Sequence, residues 1–353
     1  MVRSDLSLPI VVAFLIAAGL VTLSTAAPSN EFMRQVVFLG VAVIGCAGLL
    51  WLGRQRVLRF AFPLYWLTIF LLFLTRILGT EVNGAKSWLY LGPLPGFQPS
   101  ELSKLALIMA LAVTLHDRPI RGLVFYIRPI LIVLLPLGFV LTEPDLGSGL
   151  VLAAIGGGLL LLRGIPWRHL VLFLVLFAVA VPTIALPNLQ PHQRARLVSF
   201  LNPAADPQGS GYQVIQSTIA VGSGGLLGKG YKQGTQSQLG FIPYRHTDFI
   251  FPVLAEEGGF LAAIALLLLY GLLFWRLVSM AAECPFERDQ FVIVGVLVLV
   301  GFQVVVNIGV TLGLAPVTGI TLPLVSYGGT SLVSTMMALT LAYVAHRDRY
   351  GDW

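Results

Sequence analysis

The chain has 353 residues, of which 57% are hydrophobic and only 11% charged, with a mean hydropathy of +0.87. Soluble globular domains carry about 25% charged residues, so that class is excluded. Apolar runs of about 20 residues without two-residue alternation exclude a β-barrel as well, leaving an all-α polytopic membrane protein. The net charge of +6 suits cations along the cytoplasmic edge of a membrane better than a nucleic-acid partner.

Ten apolar runs are expected to span, at 8–26, 34–52, 58–78, 101–117, 125–142, 146–163, 168–186, 251–278, 290–313 and 326–346. The first is expected to be retained as a helix, because no convincing small-residue cleavage site follows it. The least distinct division lies within 126–163, where only TEPDLGSG (142–149) separates two runs. No repeat and no clear inverted repeat appears, so 1–353 reads as one transmembrane domain.

Lys and Arg set the orientation. With the N-terminus inside, the inner turns hold Arg3, the group Arg54, Arg56 and Arg59, then Arg118, Arg121, Arg128, Arg163, Arg168, Arg276, Arg288, Arg347 and Arg349. The short outer turns hold Arg34, Arg76 and Lys86. Both termini are then cytoplasmic, and one long extracellular loop, 187–250, lies between spans seven and eight.

That loop is the place to look for chemistry. Through residue 252 it carries Arg194, Arg196, Lys229, Lys232 and Arg245 but only two acids, Asp206 and Asp248. Three other irregular outer segments, 79–104, 142–149 and 314–331, are expected to meet it and form an outward groove, since non-helical backbone at membrane depth must line a cavity or be buried in protein.

Asp248, in RHTDFIFP, suits two roles. Thr247 or Asp248 is a natural helix N-cap before Pro252. A carboxylate beside Phe249 and Ile250 could equally act as a general base, burial raising its pKa and Arg245 lowering it. Glu101 and Lys104 lie three apart on a helix opened by Pro99-Ser100, so they can pair on a cavity wall. Lys86, Arg194, Arg196 and Lys229 are candidates for holding a phosphorylated ligand, with lipid headgroups as the alternative. The run GSGGLLGKG (222–230) offers backbone N–H groups that could approach phosphate, although it is not a Walker loop. Glu143 and Asp145 read as helix terminators, one of Glu256 and Glu257 must face a partner or cavity, and Gln303 and Asn307 read as interhelical hydrogen-bonding residues. Two cysteines imply no disulfide, and five scattered histidines show no zinc spacing.

Several of these blocks, in this order, resemble the SEDS family (shape, elongation, division and sporulation proteins). They are QPSELSK, TEPDLGSG, QRARLVSFLNPAADPQGSGYQVIQS, GSGGLLGKG, HTDFIF and the stretch 307–331, NIGVTLGLAPVTGITLPLVSYGGTS. GKGYKQGTQSQLGFIPYRHTDFIF is closer to the elongation branch, RodA, than to the division branch, FtsW. Tyr244 and Pro252 depart from the family's usual Glu and Ala.

The resemblance implies a ten-helix peptidoglycan glycosyltransferase of the bacterial cytoplasmic membrane, active on its outer face. It implies lipid II, a disaccharide-pentapeptide on undecaprenyl diphosphate, as substrate and a class B penicillin-binding protein as partner. It makes Asp248 the family's essential outer-loop carboxylate and Glu101–Lys104 its cavity ion pair. No protein metal site is implied, though a divalent cation could help hold the diphosphate. Two other readings stay open, a lipid II flippase and a membrane scaffold for the penicillin-binding protein.

Overall fold

The computed structural model of the chain describes residues 6–82, 85–90, 96–116, 122–180, 182–183, 187, 189–202 and 209–349. Arg3, Arg118, Arg121 and Asp206 of the sequence reading lie outside the described residues.

The expected apolar runs are helices. They are α1 (Ser7–Ala26), α2 (Ser29–Arg59), α3 (Ala61–Leu78), α4 (Pro99–Leu115), α5 (Ile127–Thr142, entered through a 3-10 turn at Leu123–Tyr126), α6 (Leu146–Leu162), α7 (Trp167–Ala180), α11 (Ile250–Glu283), α12 (Glu287–Thr311) and α13 (Gly329–Arg347). Among the described residues six helices are long and apolar enough to cross a membrane: α1, α2, α3, α5 with its entry turn, α11 and α12. The chain is therefore an all-α polytopic membrane protein.

α4 is the hub of the bundle. Fifteen of its 17 residues are buried, and it packs on α3, α5, α6, α12 and α13. Its first turns carry Glu101 and Lys104, which would be costly facing lipid, and that favours a place inside the bundle. Around it, α1 lies on α11, α2 on α13, and α12 bridges α6, α11 and α13.

Two stretches read as irregular are ordered. Between α3 and α4 sits an antiparallel hairpin, β1 (Thr80–Val82) with β2 (Ala85–Trp88), extended by a Leu89–Phe97 bridge. The long polar loop folds into α8 (Pro191–Leu201), α9 (Ser210–Ser223) and the short α10 (Thr235–Gln238). α9 packs on α11 and α12, so this region is part of the packed fold. Polarity without a long apolar run hid these helices, since α8 and α9 bury one side only.

α11 is broken. Gly259 has φ +70, in the region that favours glycine. The break orphans carbonyls on one side and N–H groups on the other, and the glycine-rich loop supplies their partners. Lys229 and Gly230 donate N–H to the carbonyls of Glu256 and Glu257, at 3.0 Å each. Phe260 and Leu261 donate to the carbonyls of Gly225 and Leu226, at 2.8 and 3.2 Å. Gly228, at φ +80, lies where a Cβ would strike the Glu257 carbonyl. The loop's N–H groups at 229 and 230 are thus engaged by a helix break, not free for phosphate as its sequence suggested.

Candidate functional site

At one end of the bundle lies a cavity of about 1110 Å³. Among the described residues five helices start at its wall: Gln98 before α4, Asp145 before α6, Gly209 before α9, Asp248 just before α11, and Gly328 before α13. Only α6 has a side-chain cap, Asp145 Oδ1 accepting the Ser148 N–H at 3.0 Å. The first N–H groups of a helix lack intrahelical partners and its N-terminus carries about half a positive charge, so uncapped starts facing one cavity favour anions there.

Asp248 sits on this wall. Neither Asp248 nor Thr247 caps α11, which has no side-chain cap; the Thr247 hydroxyl bonds to the Tyr244 carbonyl instead, at 3.2 Å. The Asp248 carboxylate makes no hydrogen bond or ion pair among the described residues, while its backbone carbonyl accepts from Asn307 Nδ2 at 2.9 Å. Asn307 also donates to the Ile320 carbonyl at 2.7 Å, tying the Asp248 turn to the 314–328 segment. The sequence pointed to a helix–helix contact for Asn307; its bonds go to two loops. Burial pushes the Asp248 carboxyl up to about 6, Arg196 drawing it down and Asp145 raising it further.

The turn itself is tightly determined. Tyr244 has φ +54, costly for a tyrosine, and its carbonyl accepts the N–H groups of Thr247 and Phe249 at 3.0 and 3.3 Å. The Ser326 hydroxyl donates to the Thr247 carbonyl at 2.6 Å, and the Tyr327 N–H donates to the His246 carbonyl at 2.8 Å. Gln35 on α2 holds that strap, donating to the Ser326 carbonyl and accepting the Gly328 N–H.

Glu101 and Lys104 pair at 2.7 Å, on the cavity wall and 7% and 3% exposed. Ser334 of α13 donates to the second Glu101 oxygen at 2.9 Å. Beside them Gln98 donates to Asp145 Oδ2 at 3.1 Å, joining the starts of α4 and α6. Glu143 is buried after α5, with no partner for either carboxylate oxygen among the described residues. Burial and the Asp145 charge push it up to about 8, against Arg76, so it is mostly neutral at pH 7.

Of the four cations considered for a phosphorylated ligand, Arg196 lines the cavity. The other three are engaged elsewhere. Lys86 Nζ donates to the carbonyls of Arg76 and Ile77, at 3.2 and 3.1 Å, closing the C-terminus of α3. Arg194 donates to the Pro187 carbonyl at 2.6 Å. Lys229 pairs with the fully buried Glu256 at 2.7 Å, and Glu256 also accepts the first N–H groups of α10, from Gln236 and Ser237. Glu257 accepts from Gln238, so both acids of that pair have protein partners.

The sequence reading passed over Arg34 and Tyr327 as cavity residues. A signal existed: Arg34-Gln35 is a polar pair set between Phe32-Met33 and the long apolar run that begins at Val36. Gln303, expected between helices, also lines the cavity, and its Oε1 has no partner among the described residues.

Residues 5–351 match the sequence profile of the family of FtsW, RodA and SpoVE, described as cell cycle protein. The chain belongs to this family, the SEDS proteins. It is 40% identical to the peptidoglycan glycosyltransferase MrdB of Escherichia coli K12, over 81% of this chain and 77% of that protein. It is 38% identical to a probable peptidoglycan glycosyltransferase FtsW of Thiomicrospira cyclica, over 96% of this chain and 90% of that one. Among solved structures, a chain of a peptidoglycan synthase complex that coordinates polymerization and crosslinking superposes with a TM-score of 0.88 at 46% identity, covering both chains fully. The rod shape determining protein RodA of Thermus thermophilus superposes at 0.77 with 41% identity, over 99% of each chain. The SEDS blocks read from sequence supply much of the cavity wall: QPSELSK, TEPDLGSG, HTDFIF and the 314–331 strap all reach it.

Proposed function

We propose that this SEDS protein is a peptidoglycan glycosyltransferase that polymerises lipid II during cell elongation, with Asp248 as the general base. The observation that carries the reading is an unpaired carboxylate on a large cavity ringed by helix N-termini and by Arg34, Lys104 and Arg196. Its SEDS relatives named as peptidoglycan glycosyltransferases support the reaction class.

The reaction needs a proton acceptor and a home for a departing diphosphate. Asp248 accepts the proton of the acceptor sugar's 4-hydroxyl as that oxygen attacks the donor's anomeric carbon, inverting it. The bond to the diphosphate breaks, and the charge that develops there meets donors already in position: the Arg196 and Arg34 guanidinium groups and the uncapped helix starts. Lys104 gives one N–H to Glu101, which fixes its head and leaves two donors for substrate. A divalent cation could share the diphosphate; among the described residues no group of three His, Cys, Asp or Glu is preformed for one.

The cavity end faces outward in this reading. Arg54, Arg163, Arg276, Arg347 and Arg349 gather at the opposite end, as expected of a cytoplasmic edge. α4, α7 and α13, which coincide with expected runs, and the shorter apolar α6 then complete ten crossings of the cytoplasmic membrane, and a class B penicillin-binding protein cross-links the product. The solved synthase complex supports such a partner.

The test is strand formation by purified protein from lipid II, read on gels with and without the penicillin-binding protein, for wild type and Asp248→Asn. Strands from wild type alone are expected. Strands from both would remove Asp248 as base. Strands from neither, with lipid II scrambled between leaflets of liposomes, would make the protein a flippase; neither strands nor scrambling would leave it a scaffold.

A further inference from the structure

A second, smaller cavity of about 210 Å³ opens between α8, α9 and residues 313–317. It shares Arg196 and Val317 with the large cavity, so the two adjoin. We propose that this groove seats the first isoprenoid units of a polyprenyl-diphosphate substrate, with Arg196 at the junction binding the diphosphate. The inference rests on the lipid-linked substrate proposed above.

The groove is apolar in a specific sense. Its hydrocarbon wall is Phe200, Val214, Ile215, Ala315, Pro316 and Val317. Its two hydroxyls are spent on their own helices: Ser199 donates to the Arg196 carbonyl at 3.2 Å, and Thr218 donates to the carbonyls of Val214 and Ile215 at 3.1 and 2.9 Å. Neither has a hydrogen left for a ligand. Arg196 is thus the lining group with donors to offer, and its guanidinium makes no hydrogen bond or ion pair among the described residues. A single unpaired cation at the inner end of a hydrocarbon slot matches an anionic head on a hydrocarbon chain.

The geometry also connects both ends of such a ligand. On the inner side Arg196 is close enough to Asp248 to act on its charge, so a diphosphate there lies beside the proposed base. Next in sequence to its lining residues, Val198, Leu201, Ile219 and Leu314 are exposed aliphatic side chains. On a membrane protein side chains of this kind meet lipid, where the rest of a long chain would lie.

Thr218 is exposed at the rim and faces Gly313 across the groove. Thr218→Trp therefore fills the slot without disturbing a buried position, and an unchanged melting temperature checks this. The first readout is photolabelling with a polyprenyl diphosphate carrying a diazirine on its second isoprene unit. Label is expected at Ser199, Phe200, Val214, Ile215 and 313–317 of wild type and lost in the variant. Label elsewhere only, or unchanged in the variant, overturns the proposal. The second readout compares undecaprenyl and short-chain versions of the disaccharide substrate. The variant is expected to raise KM for the long chain about tenfold, equivalent to roughly two buried methylenes, and to leave the short chain and kcat unchanged. Equal effects on both chain lengths, or none, overturn it. Labelled groove residues in a wild type that forms no strands would remove the glycosyltransferase reading and leave the groove assignment standing.

Discussion

The two ends of the bundle handle charge in opposite ways. At the far end from the cavity, charges are matched. Arg54 pairs with the fully buried Asp289 at 2.7 Å and stacks over Phe286, while its N–H, freed where Gly53 breaks α2, donates to Asp348 at 3.0 Å. Glu283 collects His346, Arg276 and Arg349. At the cavity end Glu101 pairs with Lys104, but among the described residues Asp248 and Arg196 carry charge with no direct partner and Gln303 keeps an unbonded oxygen. Paired charges hold helices together, whereas charges held apart in a shared cavity are available to a substrate. The difference marks the cavity end as the working end.

The comparison is best attacked at its extremes. Asp248→Asn is expected to lower strand synthesis by about 10²- to 10⁴-fold, the usual worth of a general base, with the melting temperature unchanged. A raised carboxyl pKa means the base is lost as pH falls through about 6, so wild-type rate should fall over that range and the variant's residual rate should not. A flat wild-type profile there would remove the assignment.

Arg54→Ala leaves Asp289 buried without its cation, which costs about 3–5 kcal/mol. Denaturation should detect this, while activity per folded molecule stays at the wild-type level. Glu101→Gln breaks a buried pair of the other kind and should cost both stability and activity. In Glu101→Gln with Lys104→Met, stability returns in part but activity does not. If activity returned as well, the pair would be scaffold only.

The smallest effects sharpen the contrast among cations. Arg196→Met should lower kcat/KM about tenfold, the loss of one charge-assisted hydrogen bond. Lys86→Met and Arg194→Met should leave kcat/KM unchanged, since both side chains are spent on backbone carbonyls. Equal effects for all three would mean that the substrate reaches beyond the cavity walls.

Sequence carried the spans well because hydrocarbon imposes one pattern. The run expected at 101–117 is α4 at Pro99–Leu115, and that at 251–278 is α11 at Ile250–Glu283. The Glu101–Lys104 pair was legible too, because three residues on a helix fix a distance. The polar regions were less so. Polarity reads as loop, yet 187–250 contains α8, α9 and α10, and 79–104 a hairpin. Cations were hardest of all, because a lysine that closes a helix and one that holds phosphate have the same letter. Lys86 and Lys229 found their carbonyls and carboxylate through contacts 9 and 27 residues away, which no local pattern states.

The break at Gly259 has a consequence for the membrane itself. Unbroken, the 34 residues of α11 would run about 51 Å, well beyond a hydrocarbon core of about 30 Å. The break leaves 260–283, about 36 Å, for the crossing. In the bilayer the stitched loop is expected to lie at the hydrocarbon edge as a depth gauge, with Asp248 one short helix beyond it. Acyl-chain length should accordingly tune this protein: reconstituted in progressively thicker bilayers, it should lose activity before it loses fold, as mismatch pulls the gauge below the headgroups.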